Sequence, residues 1–153
     1  MRAVIQRVSR ASVSWGDGLG GGIGPGLVVL LGVGPLDADA DATRLARKVC
    51  QLRIFSDADG RFASSLLQVS GAVLVVPQFT LYADCRGGRR PGFAGAAPPE
   101  HGRRLWGLFC SEVEALGPTV VRGGFAASML VEIHNQGPVT IVLSTDPWET
   151  GVS

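Results

Sequence analysis

Three segments in the first half of the chain carry apolar residues in patterns typical of β-strands. Residues 2–13 place β-branched residues among polar ones without helical spacing, which predicts a first strand. The continuous apolar run at residues 27–31 is typical of a central strand that is buried on both faces. Residues 72–76 predict a second buried strand, and Pro77 marks the end or a bulge of that strand because proline cannot donate a ladder hydrogen bond.

Two other segments carry apolar residues at helical spacing. The first covers residues 37–52, where Asp37, Asp39 and Asp41 come first and basic residues follow, as the helix dipole favours. The second begins near Pro99 and ends before Gly117, with one apolar face formed by Leu105, Leu108, Phe109, Val113 and Leu116. Residues 119–145 predict three further strands, separated by residues 123–124 and 135–138.

Glycine-rich and Asp-Gly segments predict the turns between these elements. Residues 16–22 are expected to form a turn, residues 57–60 a hairpin or a bend, and residues 86–95 an exposed basic loop. The order of the elements predicts an α/β fold, one layered domain over residues 1–153 with a mixed, largely antiparallel sheet and two main helices.

Composition and charge narrow the possible classes of protein. The 153 residues are 46% apolar and 18% charged, which supplies one core and excludes extended disorder. The net charge of +1 means that contact with a nucleic acid would have to be local. Three widely spaced cysteines fit reduced thiols, and no apolar run reaches the roughly 20 residues of a membrane span, so we expect a cytoplasmic protein without a membrane partner.

Searches for common catalytic motifs are mostly negative. The sequence has no GxSxG elbow and no phosphate-binding GxxxxGK loop. His101 and His134 lack companions at the spacing of metal ligands, so we expect no metal and no cofactor. Cys85, beside Arg86, is interpreted as an ordinary free thiol rather than a nucleophile.

Two segments stand out from this background. Residues 77–84 read PQFTLYAD and precede the basic residues Arg86, Arg89 and Arg90, and residues 135–140 read NQGPVT. These segments resemble the two signature motifs of D-aminoacyl-tRNA deacylases, Ser-Gln-Phe-Thr-Leu and Asn-x-Gly-Pro-x-Thr. The resemblance extends over nearly the whole chain, and both motifs occur in order at matching separation.

The resemblance implies a homodimer with active sites at the subunit interface that hydrolyses the ester between a D-amino acid and tRNA. The catalytic residues would be Gln78, Phe79 and Thr80, with backbone amides forming an oxyanion hole in preference to a Thr80 nucleophile. In that family the Gly-Pro peptide is cis and enters the partner's pocket. Gly137 and Pro138 would therefore reject L-aminoacyl-tRNA by steric exclusion.

The resemblance also implies contacts to the rest of the substrate. Arg86, Arg89 and Arg90 would bind tRNA phosphates, and Arg103 and Arg104 extend this basic surface. Phe125 and Met129 correspond to a family segment near the terminal adenosine, where an apolar platform would stack the base. The expected substrate-binding residues are Pro77, Arg7, Phe125, Met129, Asn135 and Thr140.

Three positions depart from the family pattern. Pro77 replaces the usual serine, Ser128 replaces a common aspartate, and Gln136 stands where aspartate often follows the asparagine. The proline resembles the form found in a related deacylase with relaxed chiral selectivity. Activity on tRNA mischarged with glycine is compatible with the same site. The alternatives are an editing hydrolase for mischarged L-aminoacyl-tRNA and a non-catalytic tRNA-binding module.

Overall fold

The computed structural model describes residues 1–147, which form eight strands, two α-helices and one short 3₁₀ helix. The α-helices are α1 (Asp39–Gln51) and α2 (Pro99–Ala115), and the 3₁₀ helix is Phe79–Tyr82. The strands are β1 (Arg2–Trp15), β2 (Leu19–Ile23), β3 (Gly26–Gly32), β4 (Phe55–Ser56), β5 (Phe62–Ser64), β6 (Ala72–Pro77), β7 (Val120–Arg122) and β8 (Leu130–Ser144).

The long strand β1 organises a six-stranded mixed sheet. Along one side β1 pairs antiparallel with β8, and along the other side it pairs antiparallel with β3 and then with β2. The sheet continues from β3 to β6 and from β6 to β7 through parallel pairs. The predicted mixed, largely antiparallel sheet with two helices is therefore confirmed.

The two helices pack on one face of this sheet. Ile5, Val29, Val75 and Phe109 are fully buried in the core that they share. The opposite face carries a second apolar cluster, which includes Val8, Val28 and Leu74. Among residues 1–147, no helix is long and apolar enough to cross a membrane.

Two local predictions need correction. The turn predicted over residues 16–22 is confined to residues 16–18, and residues 19–22 belong to β2, where Gly21 fits closely against Val121 because an added Cβ would be 3.0 Å from its Cγ1. Leu116, predicted to lie on the buried face of the second helix, is exposed because α2 ends at Ala115. The Asp57-containing turn does form the expected hairpin, between β4 and β5.

The third error concerns the end of the sheet. Residues 130–144 form one strand, β8, instead of two strands separated by a turn. The register of β8 against β1 shifts between the pairs Val8–Asn135 and Gln6–Thr140, so four residues of β8 lie opposite one residue of β1. The Gly-Pro step therefore lies in a large bulge of a continuous strand.

Candidate functional site

The PQFTL segment turns sharply out of the sheet at the end of β6. Pro77 is the last paired residue, and the Gln78 amide then donates a 2.8 Å hydrogen bond to the Leu31 carbonyl. The chain continues directly into the 3₁₀ helix. The hydrogen bonds found among residues 1–147 leave the amide N–H groups of Phe79 and Thr80 unused. Two adjacent backbone donors are thus available to a ligand.

Tyr82 anchors the far end of the 3₁₀ helix. Its ring is buried beneath the Arg2 guanidinium at 4.2 Å, and its hydroxyl donates to Asp37 at 3.3 Å. Burial, followed by the charge of Asp37, raises the pKa of Tyr82 well above its usual value. Asp37 in turn forms an ion pair with the Met1 amino group. These contacts anchor the 3₁₀ helix that carries Phe79 and Thr80 at its Tyr82 end.

A cavity of about 690 Å³ opens beside this segment. It brings together five of the predicted site residues, which are Pro77, Gln78, Phe79, Phe125 and Met129. Its walls are mostly apolar, with few polar groups, as is usual for a small-molecule site. The remaining lining residues come from β3 and the residue that follows it, the end of β6, the loop before α2, α2 itself, the segment before β8 and the start of β8.

Aromatic side chains form two walls of the cavity. The rings of Phe79 and Phe93 meet edge to face, with centroids 5.1 Å apart, although 59% of Phe79 is exposed. On another wall, the rings of Phe125 and Trp106 are 5.9 Å apart at an angle of 51°. Such a surface suits a flat or hydrophobic ligand group.

Sequence reasoning did not identify Phe93 or Trp106 as part of the site. Phe93 was assigned to the exposed basic loop, but a bridge between Asp84 and Gly92 folds that loop back against Phe79. Trp106 is buried on α2, and its indole Nε1 has no hydrogen-bond partner among the described residues. An aromatic residue inside a glycine-rich loop was the available signal for Phe93.

Thr80 does not line this cavity but faces a second, shallower one of about 1140 Å³. Its hydroxyl is exposed and accepts a hydrogen bond from the Gln78 side-chain amide. An amide N–H is a donor and cannot remove the hydroxyl proton. The geometry therefore provides no general base for a Thr80 nucleophile.

The second motif forms a separate cluster on β8. Gln136, Gly137 and Pro138 are exposed in the bulge, and the Gly137–Pro138 peptide bond is cis. The Asn135 side chain shapes the bulge, because its Oδ1 accepts the Val139 amide at 2.9 Å. Its Nδ2 also donates to the Thr140 hydroxyl at 3.0 Å. The conformation of the exposed peptide is thus set by its own flanking residues.

Arg7 ties the bulge to the β4–β5 hairpin. Its guanidinium donates to the Ile54 carbonyl at 2.7 Å, the Ser56 hydroxyl at 3.0 Å and the Gln136 carbonyl at 3.1 Å. An added Cβ on Gly137 would be 2.9 Å from Arg7 Nη2, and the Gly137 φ of +129° is accessible mainly to glycine. The structure therefore brings together five of the predicted site residues on β1 and β8, which are Arg7, Gly137, Pro138, Asn135 and Thr140.

The two clusters lie apart within the chain. Gln78 follows β6, whereas Gly137 lies in β8, and both β1 and β3 stand between these strands. No residue of the 135–140 segment lines the 690 Å³ cavity. A single chain therefore does not place the Gly-Pro bulge next to Gln78.

The basic loop is exposed, and its arginines differ in their surroundings. Asp84 holds Arg86 through two contacts of 2.8 and 2.9 Å, which keep the pKa of the Asp84 carboxyl far below its usual range. Arg90 lines the second cavity next to Thr80, whereas Arg89 is exposed on the loop. Arg104, on α2, pairs with Asp39 at 2.7 Å.

His101 and the buried cysteines Cys50 and Cys110 make contacts typical of structural residues. His101 contacts the Asp37 backbone carbonyl through Nε2 at 2.9 Å. Burial raises the pKa of the Cys50 thiol to about 11 and that of Cys110 to about 12. Both thiols therefore stay protonated at neutral pH, and Cys85 is the exposed cysteine.

The chain is similar in sequence to known deacylases. The family model described as D-Tyr-tRNA(Tyr) deacylase matches residues 4–144. A protein named D-aminoacyl-tRNA deacylase from Roseiflexus sp. (strain RS-1) is 54% identical over 95% of this chain and 94% of its own length. One of the same name from Heliobacterium modesticaldum (strain ATCC 51547 / Ice1) is 52% identical over 94% of this chain and 95% of its own length.

Solved structures share the fold. The c-Myc DNA Unwinding Element Binding Protein superimposes with a TM-score of 0.88 at 36% identity, covering 96% of this chain and all of that one. A probable eukaryotic D-amino acid tRNA deacylase gives a TM-score of 0.82 at 16% identity, covering 93% and 97% of the two chains, which shows a shared fold only. Because the family model matches nearly the whole chain and relatives that bear the deacylase name are more than half identical to it, the chain belongs to the D-Tyr-tRNA(Tyr) deacylase family.

Proposed function

We propose that this protein hydrolyses the ester bond of D-aminoacyl-tRNA and releases a D-amino acid and free tRNA. The observation that carries this proposal is the cavity beside Gln78 and Phe79, which lies on the first signature motif of a deacylase family. Relatives with about half of their residues identical to this chain carry the name of that activity. The expected location is the cytoplasm.

The proposed chemistry relies on backbone donors. A water molecule attacks the ester carbonyl, and the unused amides of Phe79 and Thr80 donate hydrogen bonds to the oxyanion of the tetrahedral intermediate. Collapse of the intermediate breaks the bond to the ribose oxygen, which takes up a proton as it leaves. Gln78 orients the substrate or the water, and the neighbouring ribose 2′-hydroxyl assists the attack.

Replacing the Thr80 hydroxyl tests this assignment. Thr80→Ala removes the hydroxyl but keeps the amide, so we expect kcat to fall less than about tenfold. A loss of about a thousandfold or more would instead identify the hydroxyl as the nucleophile. Single-turnover rates of the variant and the unmodified protein provide the comparison.

We propose that the complete site forms in a homodimer. In one chain the bulge at Gly137 is exposed and does not line the Gln78 cavity, so a second copy is needed to bring the two motifs together. The outer edge of β8, where the bulge lies, also exposes half of the Val142 side chain. An apolar, unpaired edge next to a rigid bulge is suited to contact with another copy.

Selectivity in this proposal comes from steric exclusion. The bulge of one subunit would hold the substrate ammonium through its backbone carbonyls and occupy the space of an L side chain. A D side chain would point outward and would be accepted whatever its identity. Glycine has no side chain to exclude, so glycyl-tRNA would also be hydrolysed. Arg7 and Asn135 keep the bulge in position for this task.

The other predicted contacts concern the tRNA. Phe125 and Met129 would stack and enclose the terminal adenine in the cavity. Arg89 and Arg90 would bind phosphates of the acceptor end, and Arg86 would do so only in competition with Asp84. Arg104 is left out of these contacts because Asp39 already pairs with it.

The test is hydrolysis of matched D- and L-tyrosyl-tRNA by the purified protein, with Gln78→Ala as the reduced-activity control. We expect rapid release of D-tyrosine and retention of the L-ester. Equal hydrolysis of both esters would refute stereoselectivity, and hydrolysis of L-seryl-tRNA alone would favour an L-editing enzyme. Binding of tRNA without any turnover would favour a non-catalytic module.

A further inference from the structure

Arg103 lies over the ring of Phe125 at the border of the cavity. Its guanidinium carbon is 4.6 Å from the ring centroid, which is within the range of a cation–π contact. Phe125 lines the cavity, whereas Arg103 is exposed and is not among the lining residues. The guanidinium therefore supports the ring from outside the cavity.

One turn of α2 holds this ring. Gly102 lies next to the ring, where an added Cβ would be at an ordinary contact distance of 3.5 Å from Phe125 Cζ, and Trp106 packs at 5.9 Å between ring centroids. The backbone of Phe125 belongs to a half-buried turn, closed by a 3.3 Å hydrogen bond from the Ala127 amide to the Gly124 carbonyl. The turn fixes the position of the Cα atom, but side-chain contacts must set the orientation of the ring.

We propose that Arg103 is a positioning residue that holds Phe125 as a preformed stacking platform for the terminal base of the substrate. This inference rests on the proposed function of the cavity. A ring that is already oriented loses less freedom when a base stacks on it, so binding is stronger. The guanidinium is planar and can stack on an aromatic face, which a lysine ammonium does not reproduce.

A phosphate contact is the competing role for an exposed arginine on this surface. The two roles are separable because D-tyrosyl-adenosine carries the base and the ester but no phosphate. If Arg103 acts through Phe125, Arg103→Ala raises KM for D-tyrosyl-adenosine and for D-tyrosyl-tRNA by a similar factor. From the usual strength of an exposed cation–π contact, that factor is about two to five, with kcat unchanged.

The matched variants are Arg103→Lys and Arg104→Ala. Arg104→Ala removes the same charge one residue away and should leave KM for D-tyrosyl-adenosine unchanged. Arg103→Lys keeps the charge and should restore only part of the loss. The effect of Arg103→Ala should also persist when salt is raised from 50 to 200 mM, whereas a phosphate contact weakens with salt.

A double-mutant cycle completes the test. Because Arg103 is expected to act through the ring, Arg103→Ala should add little to the loss caused by Phe125→Ala. Full additivity, or an effect confined to the tRNA substrate, would overturn the proposal. Normal activity of Arg103→Ala on both esters would overturn it while leaving the proposed function intact. Failure of the unmodified protein to hydrolyse either ester would overturn both.

Discussion

The sharpest consequence of the structure concerns a single methyl group at Gly137. Gly137→Ala would place a Cβ 2.9 Å from Arg7 Nη2 and 2.9 Å from Val139 Cγ2. Its φ of +129° is also strained for any residue with a side chain. Overpacking and an unfavourable φ each cost about 1–3 kcal/mol, and because the bulge is exposed and can shift, we expect a combined cost at the lower end of the sum, about 2–3 kcal/mol.

The bulge can relieve this cost only by moving. Gln136, Gly137 and Pro138 are exposed, so a local shift is easier than unfolding of the sheet. If substrate binding requires the original position, the full cost appears in the reaction, and kcat/KM for D-tyrosyl-tRNA falls about 30- to 150-fold. The melting temperature should fall by no more than about 10 °C, so the variant remains folded in the assay.

The chain offers a matched control in another Gly-Pro step. Gly24, which precedes Pro25, has no atom within 4 Å of an added Cβ and does not have a positive φ. Gly24→Ala should therefore keep the kcat/KM of the unmodified protein. The assay is release of labelled D-tyrosine from tRNA, with thermal unfolding measured on the same samples. Equal activity of the two variants would refute the assignment of Gly137 to the site.

Four further predictions test the surroundings of the site and the packing of the core. Arg7→Lys cannot reach the three acceptors that the guanidinium bridges, so we expect a loss of about 1–3 kcal/mol in the free energy of unfolding and a drop in kcat/KM for the D-ester. Asp37→Asn removes the nearer of the two carboxylates around the buried Met1 amino group, the other being Asp146 at 3.8 Å, and should lower the free energy of unfolding by about 3 kcal/mol in a urea titration. An aromatic disulfide reagent should modify Cys85 rapidly and the two buried cysteines only in denaturant. Burial raises the thiol pKa in the folded protein from the usual 9.0 to about 11 for Cys50 and to about 12 for Cys110. The free energy of unfolding should therefore be independent of the titration of these thiols below pH 9 and should fall as the pH rises from 9 towards 11 and 12. Modification of all three cysteines in the native state would contradict the described packing.

The parts of the fold that bury a continuous apolar pattern could be predicted from the sequence. The strand around Val29 and the helix around Phe109 are examples, because their patterns match burial in the structure. The strand β2 could not be predicted, because its glycines have no side chains and so show no alternation of apolar and polar residues. Its position comes from backbone pairing with residues 11–15 of β1 and from the close approach of Gly21 to Val121.

The candidate site was predictable only where short motifs carry it. The family resemblance implies Arg7 and Gly137 as site residues but not their contact, because the acceptors that hold Arg7 are mainly backbone carbonyls, which leave no sequence signature. Phe93 reaches Phe79 only because a distant loop folds back. Arg103 was assigned by its charge alone, whereas its contact with Phe125 depends on the placement of α2 next to a turn.

The central claim is that two copies of the chain build one site from both motifs, and subunit mixing tests it most directly. Gln78→Ala disables the cavity, and Gly137→Ala disables the bulge, so each variant alone should have little activity on D-tyrosyl-tRNA. If the motifs meet across an interface, half of the randomly mixed dimers contain one intact site, and activity should return to about a quarter of the unmodified level. Activity that stays at the level of the separate variants after subunit exchange would contradict a shared site.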